Sequence, residues 1–169
     1  ALPIYLKGRK IISPKAAFGK IISAAGAAPV SQNVSDYYMS LERGVAEGVA
    51  THIPSTFAFG LAPLIKQVVV FGEGGLNMDM FFFVINQGVW DKLPDDVKAI
   101  FEEEMVNLHN AEAAQLEVMM KDYTEKLIAQ GTELTYLTPE QIAEWEKIAK
   151  PVHEEIISGM ENQGMPAAR

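Results

Sequence analysis

The stretch KIISPKAAFGKIISAAGAAPVS, residues 10–31, contains the pattern that decides the fold. Lys10 to Ser13 predicts a short strand rich in β-branched residues. The small and apolar residues from Ala16 to Ala25 favour a buried helix that ends at Gly26. Ala28 to Ser31 then predicts a second extended segment. A strand, a helix and a strand at this spacing predict parallel strands joined by a crossover helix.

The same alternation continues towards the carboxyl end. Ser35 and Asp36 are typical of a helix amino terminus, and they predict a helix from Asp36 to Arg43. Val45 to Ile53 contains the next predicted strand, and Pro54 opens a short helix that extends towards Ile65. We therefore expect an α/β fold with a sheet that is mainly parallel.

Two apolar segments follow, Gln67 to Phe71 and Met80 to Asn86, and neither alternates between apolar and polar residues. This pattern predicts strands that lie in an interior. Phe81 and Phe83 share one face of the second strand, and that face could line a pocket.

The carboxyl-terminal part of the sequence predicts long helices. One helix extends from Pro94 to Gln130, which is longer than a small domain needs, so it either lies across two structural units or forms a coiled coil. Its irregular heptads favour the first alternative. After a short strand from Glu133 to Leu137, Thr138 and Gln141 predict a capping box for the last helix.

The composition limits the classes of function. The chain has 169 residues, 49% of them hydrophobic, a formal net charge of −8 and no cysteine. The negative charge argues against a nucleic-acid partner, and the lack of cysteine excludes disulfides and Cys-ligated metals. The basic residues near the amino end, from Lys7 to Lys20, are interpreted as a solvated surface. Because the chain starts at Ala1 without Met, we expect residues upstream of it.

His52 is a candidate for ligand contact, and the alternative is a packed or solvated histidine. It lies at the carboxyl end of a predicted parallel strand, where ligands bind in open α/β sheets. The three histidines do not have metal-ligand spacing, and Glu102 to Glu104 are typical of a solvated first part of a helix. No residues with the pattern of a nucleophile, base and orienting group occur, and no cofactor or metal is predicted.

Five motifs together resemble the solute-binding subunits of tripartite ATP-independent periplasmic (TRAP) transporters, of the dicarboxylate-binding type. They are LKGRKIISP at 6–14, GAAPV at 26–30, SDYYMSL at 35–41, GVAEGV at 44–49 and WDKLPDDV at 90–97. Their order and spacing carry the resemblance, which extends from Leu6 to about Gly164.

The resemblance implies a type II-like periplasmic-binding-protein fold of two α/β lobes, with most of the amino-terminal lobe outside this chain. Residues 1–66 and 110–169 would form the second lobe, and residues 67–109 would be a return segment that contributes to the first lobe. The long helix would span both lobes, and further helices would follow it at the carboxyl end.

The implied function is that of an exported, periplasmic protein that is not an enzyme. It would capture a small organic acid by lobe closure and deliver it to the membrane permease subunits of a TRAP transporter. Two alternatives stay open. One is a small α/β enzyme with His52 or Asp79 as general acid or base. The other is an oligomerising structural fragment, for which the long helix would form the contact of a homodimer.

The resemblance also implies the ligand residues. Ile12 stands where the family has a carboxylate-binding arginine. Either the ligand is not a simple carboxylate held in this way, or another cation, such as Lys15 or a residue of the absent lobe, takes its place. Val34 matches the family's apolar wall, and together with Ile12, Phe57 and Phe59 it predicts a less polar or aromatic ligand. The expected ligand set is Ile12, Ser13, Lys15, Val34, Thr51, His52, Phe57, Asn77 and Asp79.

Overall fold

The computed structural model describes residues 6–13, 16–72, 75 and 82–165. Within them the strands are β1 (Lys10–Ile12), β2 (Ala28–Val30), β3 (Gly48–Val49), β4 (Gln67–Val70) and β5 (Glu133–Tyr136). The helices are α1 (Ala16–Ala24), α2 (Tyr37–Glu42), α3 (Ile53–Ala58), α4 (Gln87–Trp90), α5 (Asp95–Ala129) and α6 (Pro139–Asn162). None of these helices is long and apolar enough to cross a membrane.

The strands form two parallel sheets. The first has the order β2-β1-β3, with Ile12 beside both Val30 and Val49. The second pairs β4 with β5 along the whole length of both strands. Because each parallel neighbour must be reached by a crossover, α1 and α2 connect the strands of the first sheet as the sequence predicts.

The first sheet is covered on both faces. Ile11 and Ile12 point to opposite faces because successive residues of a strand alternate. Ile11 packs against the first core, which α1 and α6 share and which includes Phe18, Ile21, Ile22, Trp145 and Val152. Ile12 belongs to the second core, with Tyr37, Ala46 and Leu61. The two cores fix the sheet between two helical layers.

Helix α5 is attached to this body mainly through its carboxyl-terminal end. The helix has 35 residues, and Leu127 is its buried residue. The Tyr123 ring stacks on Phe57 of α3 with 4.4 Å between ring centroids. Gln130, which directly follows the helix, donates from Nε2 to the carbonyl oxygen of Ala62 at 2.6 Å. The amino-terminal two thirds of α5 are largely exposed among the described residues. The predicted long helix is therefore present, and its position across two lobes stays a prediction.

Helix α6 begins as the sequence predicts. The Thr138 hydroxyl accepts from the Gln141 amide at 3.3 Å, and the Gln141 side chain accepts from the Thr138 amide at 2.9 Å. These two bonds satisfy donors that a helix amino terminus otherwise leaves unpaired. The helix continues across Pro151 and ends at Asn162.

The predicted interior strand from Met80 to Asn86 is wrong in its described part. Residues 82–86 form no strand, and Phe82, Phe83 and Val84 are 74%, 71% and 90% exposed. No described strand pairs with this segment and no described core covers it, so its apolar residues remain at the surface. Met80 and Phe81 lie outside the described residues. The short helix α4, capped by the Asn86 side chain, was not predicted.

The anchoring of α5 can be tested by replacing two adjacent residues of equal size, Leu127 and Ile128, with alanine. Leu127 is fully buried, whereas Ile128 is 56% exposed. Leu127→Ala should lower the free energy of unfolding by about 2–5 kcal/mol because it leaves a cavity between α5 and the body. Ile128→Ala should change it by less than about 0.5 kcal/mol. Urea unfolding followed by circular dichroism measures both, and equal effects would contradict the anchoring.

Candidate functional site

The carboxyl ends of β1, β2 and β3 meet at one edge of the first sheet. The Ser13 amide donates to the carbonyl oxygen of Val30 at 3.1 Å, and the Ala50 amide donates to that of Ile12 at 2.9 Å. Residue 13, residues 31–33 and residues 50–52 therefore leave the sheet side by side. In open α/β sheets this edge forms the binding crevice, because loops and helix starts surround it.

The structure brings several of the predicted ligand residues to this edge. Ser13 follows β1 directly and is buried, at 4% exposure. Thr51 is half-buried and His52 is exposed, immediately before α3. Val34 begins a single turn of 3-10 helix that follows the β2 loop, and its side chain is exposed. Together they combine two hydroxyls, an imidazole and one apolar side chain.

Two of the predicted residues take part in packing. The Ile12 side chain is fully buried in the second core. Phe57 is half-buried and stacks on Tyr123, which holds α3 against α5. Contact of either residue with a ligand stays a prediction. Lys15, Asn77 and Asp79 lie outside the described residues.

Buried polar groups near the same edge were missed by the sequence analysis. The Ser40 hydroxyl of α2 donates to Gln32 Oε1 at 3.0 Å, which turns the Gln32 side chain towards α2. Gln32 Nε2 and Tyr37 Oη are buried and have no hydrogen-bond partner among the described residues. Tyr37 also contacts Phe59 edge to face, with 6.1 Å between ring centroids. The sequence indicates such a cluster only through the short distance from Pro29 to the predicted helix start at Asp36.

The charges of the first sheet are concentrated at its opposite edge. Arg9, just before β1, forms an ion pair with Glu47, just before β3. The Arg9 guanidinium and the Lys10 backbone amide both bind the carboxylate, and they hold the pKa of Glu47 below its ordinary value. By contrast, residues 13, 31–33 and 50–52 at the carboxyl edge include no lysine or arginine. A ligand at the candidate site would therefore meet mainly neutral groups.

A cavity of about 650 Å³ lies elsewhere, between the end of β4 and helix α6. Phe71, Trp145, Lys147, Lys150 and His153 are among its lining residues. Of the predicted ligand residues that the structure describes, none lines this cavity. The sheet edge and the α6 cavity are therefore separate candidates for ligand binding.

The sequence was compared with protein-family models and curated proteins. The model of the bacterial extracellular solute-binding protein family 7 matches residues 3–159. The chain belongs to this family. It is 30% identical over 140 residues to the C4-dicarboxylate-binding periplasmic protein DctP of Rhodobacter capsulatus, which is 80% of this chain and 40% of DctP. The chain thus spans less than half the length of that relative.

Solved structures of TRAP solute-binding proteins share the fold. A marine metagenome protein specific for aromatic acid ligands, in complex with metahydroxyphenylacetate, has a TM-score of 0.82 at 19% identity, over 98% of this chain and 52% of that one. A Rhodoferax ferrireducens T118 protein with copurified benzoate has a TM-score of 0.80 at 17% identity, over 97% of this chain and 52% of that one. A Roseobacter denitrificans protein with β-D-glucuronate has a TM-score of 0.81 at 17% identity, over 95% and 52%. The α/β, periplasmic-binding-protein-like fold expected from the sequence is confirmed.

The burial of Tyr37 can be tested through the pH dependence of stability. Desolvation raises the pKa of the Tyr37 hydroxyl above its ordinary value. Unfolding lets this phenol ionise at about pH 10, so the folded state should lose stability as the pH rises above that value. Tyr37→Phe should remove the part of this loss of stability that comes from the ionisation of the phenol.

The neighbouring Tyr38 provides the control, because it is 37% exposed. Tyr38→Phe should keep the wild-type loss of stability between about pH 8 and about pH 10.5, measured by urea unfolding. The same pH dependence in wild type and Tyr37→Phe would contradict the burial of the phenol.

Proposed function

We propose that this chain is part of a periplasmic solute-binding protein that captures a small organic acid and delivers it to the membrane permease subunits of a TRAP transporter. The observation that carries the proposal is the sheet edge at which Ser13, Thr51 and His52 converge in a member of solute-binding family 7. The rival enzyme, with His52 or Asp79 as acid or base, is disfavoured because the family and the structural neighbours are solute-binding proteins.

We further propose that residues 1–66 and 110–169 form the second of two lobes, and that residues 67–109 return to the first. The exposed Phe82, Phe83 and Val84 support this division, because an apolar run of this kind requires cover from another part of the protein. Strand β4 pairs with β5, so the return segment would start from the sheet of the second lobe. Closure of the lobes would then enclose the ligand.

The ligand class that we propose is an aromatic acid. The described carboxyl edge provides hydroxyls, amides and an imidazole, but neither lysine nor arginine, so it suits one carboxylate better than two. Val34 and Phe59 add exposed apolar surface nearby. The metahydroxyphenylacetate and benzoate in two proteins of the same fold support this class, whereas the name of the Rhodobacter relative points to C4-dicarboxylates.

The ligand class can be measured by isothermal titration calorimetry of the full-length protein, with both proposed lobes, against benzoate and succinate. Benzoate should bind more tightly than succinate, because the second carboxylate of succinate would be desolvated without a cation. Tighter binding of succinate would contradict an aromatic acid as the ligand.

Thr51→Val tests the position of the site. It removes one hydroxyl from the carboxyl edge and should weaken benzoate binding roughly threefold to tenfold, which is the effect of one neutral hydrogen bond. Thr124→Val, at a half-buried threonine of α5, should leave the affinity unchanged. An unchanged affinity in Thr51→Val would contradict the assignment of this edge.

A second copy of the chain is another candidate partner. Helix α5 exposes several large apolar residues, namely Ile100, Phe101, Val106, Leu116 and Val118. We propose that two chains associate through this helix, since its exposed apolar residues require cover.

Sedimentation equilibrium should then give the mass of a dimer for the wild-type chain. Val106→Glu combined with Leu116→Glu should give the mass of a monomer, and Glu103→Gln combined with Glu117→Gln should keep the dimer. A monomeric wild type would contradict the homodimer while leaving the solute-binding proposal intact.

A further inference from the structure

Helix α3 directly follows the candidate site in the chain. Thr51 and His52 lie at the carboxyl edge of the first sheet, and α3 begins at the next residue, Ile53. The Thr56 amide donates to the carbonyl oxygen of His52 at 3.3 Å, and the Thr56 hydroxyl donates to that of Ile53 at 2.7 Å. Because these bonds join the edge to the first turn of the helix, a displacement of α3 would also move Thr51 and His52.

The position of α3 depends on the long helix. Among the described helices and strands, α3 packs mainly against α5. The Phe57 ring of α3 stacks on the Tyr123 ring of α5, with 4.4 Å between the ring centroids and 16° between the ring planes. Both side chains are half-buried. An aromatic pair at this separation stabilises a contact beyond the area that it buries, so the stack sets where α3 lies on α5.

Tyr123 belongs to the anchored end of α5. Leu127, four residues further along and on the same face of the helix, is fully buried. Gln130 then binds the carbonyl oxygen of Ala62, which lies in a short turn of 3-10 helix after α3. The body therefore holds this end of α5 on both sides of the stack, and the Tyr123 ring provides a fixed surface for Phe57.

We propose that Phe57 and Tyr123 are positioning residues of the ligand site, because their stack holds α3, and with it Thr51 and His52, in the orientation that binds the organic acid. This inference rests on the proposed function and extends the site to a residue that does not lie at the sheet edge. Without the stack, α3 would occupy several orientations, and only a fraction of the molecules would present the site correctly. The apparent affinity falls in proportion to that fraction.

The competing explanation is direct contact of the Phe57 ring with the ligand. Under both explanations the loss of the Phe57 ring weakens binding. They differ at Tyr123, since a ligand that touches Phe57 gains nothing from the ring behind it, whereas a positioning stack needs both rings. Substitutions of Tyr123 therefore distinguish the two.

The experiment measures benzoate binding to the full-length protein by isothermal titration calorimetry. Tyr123→Leu removes the stacked ring and should weaken benzoate binding roughly threefold to tenfold, which is the effect of one aromatic pair. Tyr123→Phe keeps the ring and should retain the wild-type affinity. Tyr136→Leu, the matched control, removes a tyrosine ring of β5 that is 63% exposed and should also retain it.

A double-mutant cycle separates positioning by the stack from two unrelated effects. Phe57→Leu should weaken binding about as much as Tyr123→Leu. The variant with both substitutions should bind within about twofold of either single variant, because each substitution alone already removes the stack. Thermal unfolding of every variant without ligand ensures that the titrations are made well below its melting temperature. If Tyr123→Leu does not fold, Tyr123→Met takes its place, since it also lacks a ring but fills the space with a flexible apolar chain.

The outcomes separate this inference from the function on which it rests. Wild-type affinity in the folded Tyr123 variant without a ring overturns the inference and leaves the solute-binding function standing. Losses of affinity that multiply in the double variant, or an equal loss in Tyr136→Leu, also overturn it. If the wild-type full-length protein binds none of benzoate, succinate and glucuronate, the proposed function fails, and the inference fails with it.

Discussion

The parallel pairing of β1 with both β2 and β3 is the constraint on which the rest of the structure depends. It places β1 at the centre of the sheet, so that Ile11 enters one core and Ile12 enters the other. It also aligns the carboxyl ends of the three strands, which creates the candidate site. The site and the two cores are therefore consequences of the same hydrogen-bonded register, and a shift of one residue in β1 would exchange the side chains between the cores.

The body and the long helix differ in what stabilises them. Buried apolar residues on both faces stabilise the sheet, whereas α5 has Leu127, the Phe57 to Tyr123 stack and the Gln130 bond at one end only. Its amino-terminal part, like Phe82 to Val84, presents apolar side chains to solvent. Both sets of apolar side chains lack cover among the described residues, and the chain spans about half the length of the solved relatives.

Local signals in the sequence predicted much of the fold. Gly26, Gly131 and the Thr138 capping box mark the ends of helices through backbone geometry that neighbouring residues alone determine. The strand predicted from Met80 to Asn86 is wrong in its described part, because hydrophobicity indicates that a segment needs cover but does not identify what covers it. The burial of Ile12 could not be predicted for a related reason, since it depends on Tyr37 and Leu61, which are distant in the sequence.

The location of the candidate site at a sheet edge could be predicted from the sequence, but the polar groups buried beside it could not. Parallel strands must end together, so Ser13, Thr51 and His52 could be grouped from the sequence alone. The burial of the Gln32 amide and of the Tyr37 hydroxyl depends on the packing of α2 and on the bond from Ser40 to Gln32, which only the folded chain forms.

The central claim, that an organic acid binds at the carboxyl edge of β1, β2 and β3, is tested most directly by mapping backbone amide shifts. Benzoate is titrated into the ¹⁵N-labelled full-length protein, and the shifted amide signals of this chain are assigned. The account predicts that the amides of Ser13, Val34 and Thr51 shift together and saturate with one affinity. Shifts confined to Trp145 and His153 beside the α6 cavity, or no saturable shifts at all, would contradict it.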